Sequence, residues 1–148
     1  MATLERALFL AVTAHLGQVD KSGAPYILHP LRLMLRAQDD TARIVALLHD
    51  TVEDTPLTLE QLRQEGFSET ILTVVDLLTH RPGQTYQEYI DRLQTDPLAV
   101  QIKLLDLEDN RDVRRLPAPL SDADRHRLGK YEYYWTVLQA VASQGSAP

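Results

Sequence analysis

The stretch Leu47-Leu48-His49-Asp50-Thr51-Val52-Glu53-Asp54-Thr55-Pro56 joins an apolar helix to a dense group of ionisable side chains. Ile44, Leu47 and Leu48 stand at i, i+3 and i+4, the spacing of a buried helical face. Asp39-Asp40-Thr41 supplies N-cap residues for this helix, and Pro56 ends it because Thr55 is pushed out of the α region. Asp50, Glu53 and Asp54 therefore fall in the last turns, where the macrodipole is negative and each acid costs about 0.3–1 kcal/mol. Asp50 and Asp54, one turn apart, also repel one another. A bound cation would offset both costs; the alternative is an acidic, solvated helix end.

Helical geometry is compatible with the cation. Successive residues diverge by about 100°, so His49 and Asp50 share an ion only if it lies between their directions. Glu53 and Asp54 then sit one turn further on, where they can hold or deprotonate a water.

Outward from this stretch the chain reads as helix after helix, so the expected fold is all-α. A first helix over residues 2–18 carries Leu4, Ala7, Leu8, Ala11, Val12 and Leu16 on one stripe. Residues 19–25 form a Gly- and Pro-containing loop. A second helix from Pro25 through Leu35 is expected to kink or split at His29, before Pro30. Thr58, Ser68 and Thr85 are N-caps of three further helices. Pro97 opens a long helix through Leu116, and Ser121 or Asp122 caps a last one bearing Tyr131, Tyr134, Trp135 and Leu138.

The 148 residues fit one domain, expected over residues 1–143 with a frayed tail at 144–148, and 44% hydrophobic content suffices for a core. The chain contains no cysteine, which rules out disulfides and thiolate zinc sites. With no signal-like start and no apolar run of membrane length, a soluble cytoplasmic protein is expected. A net charge of −6 argues against general nucleic-acid binding but not against a small anionic substrate. Oligomeric state is not legible in the sequence.

Two other places carry candidate chemistry. His29 precedes a proline and so has a restricted backbone, as a metal ligand or as a satisfied core histidine. Asp106 lies among apolar residues, and a buried carboxylate needs a partner: a metal, or an arginine in a buried salt bridge. Asn110 lies one turn beyond it. Taken together, His29, His49, Asp50 and Asp106 form an N/O donor set suited to Mn²⁺, Fe²⁺ or Zn²⁺.

The order His29, His49-Asp50, Asp106 resembles the HD-domain metal-dependent phosphohydrolases. The segments Ala14-His15-Leu16-Gly17-Gln18, Lys21-Ser22-Gly23, Pro25-Tyr26-Ile27, His29-Pro30, Leu48 to Thr55 and Lys103-Leu104 with Asp106 and Asn110 are similar to the hydrolase domain of the RelA/SpoT family. That resemblance implies a helical HD-domain fold and removal of the 3′-pyrophosphate of the guanosine alarmone (p)ppGpp in the stringent response. It also implies a stand-alone hydrolase of the small alarmone type. His29, His49, Asp50 and Asp106 would hold one divalent metal ion, Mn²⁺ in this family. Glu53 and Asp54 would act on the attacking water, while Lys21, Ser22 and Asn110 would contact the nucleotide, with Arg111 or Lys103 as further phosphate partners. His15 is read as a helix-end packing residue, and His80 and His126 are given no role.

The chain also departs from the family pattern. Asp20 stands where a basic residue is usual, Val113 stands where a small hydroxyl residue is expected, and Asp109-Asn110-Arg111 replaces a His-Asn-Met-type run. Two alternatives follow: hydrolysis of another nucleotide, a nucleoside monophosphate or NADPH, or a sensor that binds without cleaving. Retention of both Glu53 and Asp54 argues against the sensor.

Overall fold

The computed structural model describes residues 1–145. Among the described residues nine α-helices follow one another: α1 Leu4–Ala14, α2 Leu28–Arg36, α3 Asp40–Leu48, α4 Thr51–Asp54, α5 Leu59–Gln64, α6 Glu69–Leu77, α7 Tyr86–Leu93, α8 Pro97–Asn110 and α9 Asp122–Gly145. No strand forms among the described residues; Val19 and Pro25 make one isolated bridge. None of these helices is long and apolar enough to cross a membrane.

The chain wraps around α3. Val45, Ala46, Leu47 and Leu48 are fully buried, so the second half of this helix is apolar on every side, and α3 packs against α1, α2, α6 and α8. Helix α8 is nearly as enclosed, and α9 lies along it. The caps read from the sequence are present. Asp39, Ser68 and Thr85 accept from the backbone N–H groups of Ala42, Ile71 and Glu88, and Thr58 and Thr85 complete capping boxes.

The helices differ from the sequence reading in several places. Helix α1 stops at Ala14, so Leu16 falls in a turn and is 81% exposed rather than part of the buried stripe. Pro30 is the third residue of α2, where a missing N–H costs nothing, so the helix neither kinks nor splits. The central helix does not run on to Pro56: it breaks at His49 and Asp50, and α4 restarts at Thr51. Helix α8 ends at Asn110, after which Asp112 caps a 3-10 turn, Val113–Arg115, so Val113 is not one turn along a continuing helix. Helix α9 continues through Ser143 to Gly145, while residues 146–148 of the expected tail lie outside the described residues.

Candidate metal centre

The break between α3 and α4 positions His49 and Asp50. The hydroxyl of the fully buried Thr51 donates to the carbonyl of Leu48 at 2.8 Å and satisfies one of the last acceptors of α3. His49 and Asp50 thus project from a junction anchored on both sides. His29 comes from the first turn of α2, and Asp106 from the middle of α8.

These four side chains meet, each offering a donor atom within 4.8 Å of the others. His49 Nε2 lies 3.0 Å from Asp50 Oδ2 and 3.6 Å from Asp106 Oδ1. His29 Nε2 lies 2.9 Å from Asp106 Oδ1 and 3.8 Å from Asp50 Oδ2. Donors about 2.1 Å from a common ion stand roughly 3–4 Å from one another, so the spacing fits.

Proton positions lead to the same conclusion. His49 Nδ1 is 2.6 Å from the carbonyl of Ala46, which only accepts, so Nδ1 carries the hydrogen. In the neutral ring the buried Nε2 of His49 then carries a lone pair that makes no hydrogen bond, facing Asp50 and Asp106 at 3.0 and 3.6 Å. His29 Nδ1 donates to Asp109 Oδ2 at 2.6 Å, which turns a second lone pair toward Asp106. Two acceptors facing each other at 2.9 Å require positive charge between them, from a proton on the imidazole or from a cation. Burial pushes the His49 imidazole down, but Asp50 and Asp106 outweigh it and hold the ring well above its usual value. Burial likewise opposes ionisation of Asp106, yet Lys103 and both histidines hold it well below the usual carboxylate range. The ligand chemistry and the orphaned Nε2 fit a divalent cation.

Glu53 and Asp54 follow on α4, close enough to Asp50 to feel its charge. Glu53 Oε1 accepts from the backbone N–H of His80 at 2.5 Å. Both carboxyls are raised above their ordinary values, first by desolvation and then, beside Asp50, by like charge. Such a shift moves a carboxylate toward the pKa a base needs near neutral pH.

A cavity of about 350 Å³ adjoins the centre and brings together Lys21, Ser22 and Asn110 with Tyr26, Arg115 and Tyr131. Asn110 Nδ2 donates to Asp106 Oδ1 at 3.1 Å, so this wall is tied to a donor of the cluster. The loop that presents Lys21 is built by Asp20. Its Oδ1 accepts from the Ser22 and Ala24 N–H groups at 2.8 and 3.0 Å, and Gly23 adopts a φ of +83° that other residues resist.

No protein-family model matches the chain. It is 35% identical to the bifunctional (p)ppGpp synthase/hydrolase RelA of Mycobacterium tuberculosis over 93% of its own length, covering 22% of that protein. It is 34% identical to a guanosine-3′,5′-bis(diphosphate) 3′-pyrophosphohydrolase of Aquifex aeolicus over 72% of its length, covering 17% of the relative. The chain thus spans about a fifth of the length of the curated relatives it matches. It superimposes with a TM-score of 0.75, at 22% identity, on a structure described as a metazoan ortholog of SpoT that hydrolyzes ppGpp, over 97% of this chain and 93% of that one. The chain is an HD-type, RelA/SpoT hydrolase-like domain.

Several residues of this RelA/SpoT hydrolase-like domain sit differently from the sequence reading. Arg111 does not reach the cavity: its guanidinium lies 4.6 Å over the Trp135 ring. Lys103 is buried and bonds Asp106 Oδ2 at 2.7 Å, so it is committed to a donor of the cluster rather than free for phosphate. Beside both histidines and Asn110, the cation paired with Asp106 is thus a lysine, not the arginine of the salt-bridge alternative. His15 caps α1 and is buried, as its helix-end reading expected, with Nδ1 on Gln18 Oε1 at 2.8 Å.

Sequence reasoning overlooked Tyr26, Arg32, Asp109 and Arg115. The Tyr26 hydroxyl donates to Asp50 Oδ2, and Asp109 lies behind His29 with Arg32 and Arg115 around it. A signal was available, because Arg32 follows His29 by three residues and Asp109 follows Asp106 by three, which places each on the helical face of a cluster residue.

Proposed function

We propose that the domain is a metal-dependent phosphohydrolase that removes the 3′-pyrophosphate of a guanosine (p)ppGpp-type alarmone. The observation that supports this most directly is the convergence of His29, His49, Asp50 and Asp106 on one point, with two acids of raised pKa beside it. Relatives named for this hydrolysis, at 34% and 35% identity, support the substrate class.

His29, His49, Asp50 and Asp106 would hold one Mn²⁺, Fe²⁺ or Zn²⁺; when bound, such an ion polarises a phosphoryl oxygen and makes a water more acidic. Glu53 and Asp54 orient the attacking water and take its proton. Water oxygen bonds to the phosphorus attached to the ribose 3′ oxygen, the bond from phosphorus to that oxygen breaks, and the ribose leaves with a 3′-hydroxyl. Pyrophosphate is the second product. Lys21 sets positive charge against the phosphates, and Ser22 and Asn110 line the nucleotide side of the cavity.

A second reading, another nucleotide such as a nucleoside monophosphate or NADPH, draws on Asp20 and Val113. Asp20 spends its carboxylate on its own loop, and Val113 begins a 3-10 turn with 46% exposure, so neither offers the usual family chemistry to a base. Incubation of Mn²⁺-loaded protein with ppGpp, nucleoside monophosphates and NADPH separates the readings. Pyrophosphate and GDP from ppGpp support the first, and orthophosphate from the other nucleotides supports the second.

A further inference from the structure

His29 reaches the metal centre through one ring nitrogen and touches an unassigned carboxylate through the other. Asp109 Oδ2 takes the Nδ1 hydrogen at 2.6 Å, within a side chain that is only 9% exposed. Its other contacts are cationic. Arg32 forks onto it, Nε to Oδ1 at 2.7 Å and Nη2 to Oδ2 at 2.9 Å. Arg115 Nη2 reaches the Asp109 carbonyl at 2.8 Å and Oδ2 at 3.4 Å.

We infer that Asp109 is a positioning residue of the metal centre, holding His29 with Nδ1 protonated and Nε2 aimed at the ion; this rests on the reading of the four donors as a metal site. Imidazole can place its proton on either nitrogen, and a carboxylate behind Nδ1 settles which one donates. Arg32 and Arg115 both reach this carboxylate as well, so loss of either one alone still leaves Asp109 charge-paired and bonded to His29. Asp109 follows Asp106 by one helical turn on α8, and Arg32 follows His29 by one turn on α2. The same pair of helices therefore supplies the His29–Asp106 contact and, one layer further out, its support. This arrangement occupies the position where the chain departs from the His-Asn-Met-type run.

A purely structural ion pair between α2 and α8 would show the same contacts, so the test must separate metal affinity from stability. Mn²⁺ titration of the purified chain, with thermal unfolding in parallel, compares wild type with Asp109→Asn and Arg32→Met. Asp109→Asn is expected to weaken Mn²⁺ binding about 10–100-fold, as loss of an outer partner of a ligating histidine does elsewhere. Arg32→Met removes the inter-helix fork but leaves the Asp109–His29 bond, and is expected to lower unfolding temperature with less than threefold change in affinity. Equal losses of affinity in both variants, or a change below threefold in Asp109→Asn, overturn the inference while leaving the metal site intact. A wild-type protein that binds no ion overturns the metal reading and the inference with it. Imidazole ¹⁵N spectra of the Zn²⁺-loaded wild type give a measurement independent of any variant: His29 protonated at Nδ1 agrees, and protonation at Nε2 contradicts.

Discussion

The backbone N–H of His80 donates to Oε1 of Glu53 at 2.5 Å, tying this α4 carboxylate to the turn after α6. That bond orients the acid and leaves its charge available. Gln in place of Glu53 can accept the same N–H through its amide oxygen but cannot take a proton. Glu53→Gln is expected to bind Mn²⁺ as wild type does and to lose turnover by about 10²–10⁴-fold, the usual worth of a positioned base. Metal titration and single-turnover product analysis on one preparation check this, and full activity would remove Glu53 from the mechanism.

Glu53 also carries a stability cost with a defined sign. Desolvation, then the charge of Asp50, raises its folded pKa above the ordinary 4.5. A carboxyl with a raised folded pKa penalises the fold when ionised, so the cost is full at neutral pH and vanishes as pH falls below the unfolded value. Metal-free Glu53→Gln should therefore be more stable than wild type at pH 7, with the gap closing near pH 4. Urea unfolding at the two pH values measures it, and a gap that widens on acidification would contradict the assignment.

Asp106 would have two dependants, the proposed cation and Lys103. Asp106→Ala should abolish Mn²⁺ binding and activity together and leave the buried Lys103 ammonium without its 2.7 Å partner. Removing one member of a buried ion pair costs about 3–5 kcal/mol, which denaturant unfolding would register. Asp106→Asn keeps an acceptor near Lys103 and should recover part of the stability without recovering metal binding.

Lys21, on the Asp20-built loop, lines the cavity with Ser22 and Asn110 and is not one of the four donors. Lys21→Ala should raise KM about 10-fold or more for a nucleotide bearing a pyrophosphate, with kcat and Mn²⁺ affinity changed far less. Steady-state kinetics and metal titration distinguish this from a defect at the centre, where both would fall.

Much of this was legible in the sequence because it rests on local rules. Thr58, Ser68 and Thr85 cap helices since their oxygens reach backbone N–H groups three residues on, and Pro97 starts α8 because the first turn needs no N–H. The four donors stood out because ionisable groups in apolar helices need a reason to be there. What was not legible depends on tertiary contacts. The break at His49 and Asp50 has no glycine or proline to announce it; it holds through Thr51 bonding back to Leu48 and through packing on α2 and α8. Arg111 was read as a phosphate partner because charge alone does not reveal that Trp135, on a different helix, lies beneath it. Asp109 was passed over as a departure from a pattern, since its value depends on His29, 80 residues away in the chain.

The central claim is that His29, His49, Asp50 and Asp106 grip one divalent ion. Anomalous diffraction from crystals grown with Mn²⁺ tests it most directly. The account predicts one manganese peak per chain, within bonding distance of Nε2 of both histidines and a carboxylate oxygen of each aspartate; a metal-soaked crystal with no peak there, or with those side chains turned away from it, would contradict it.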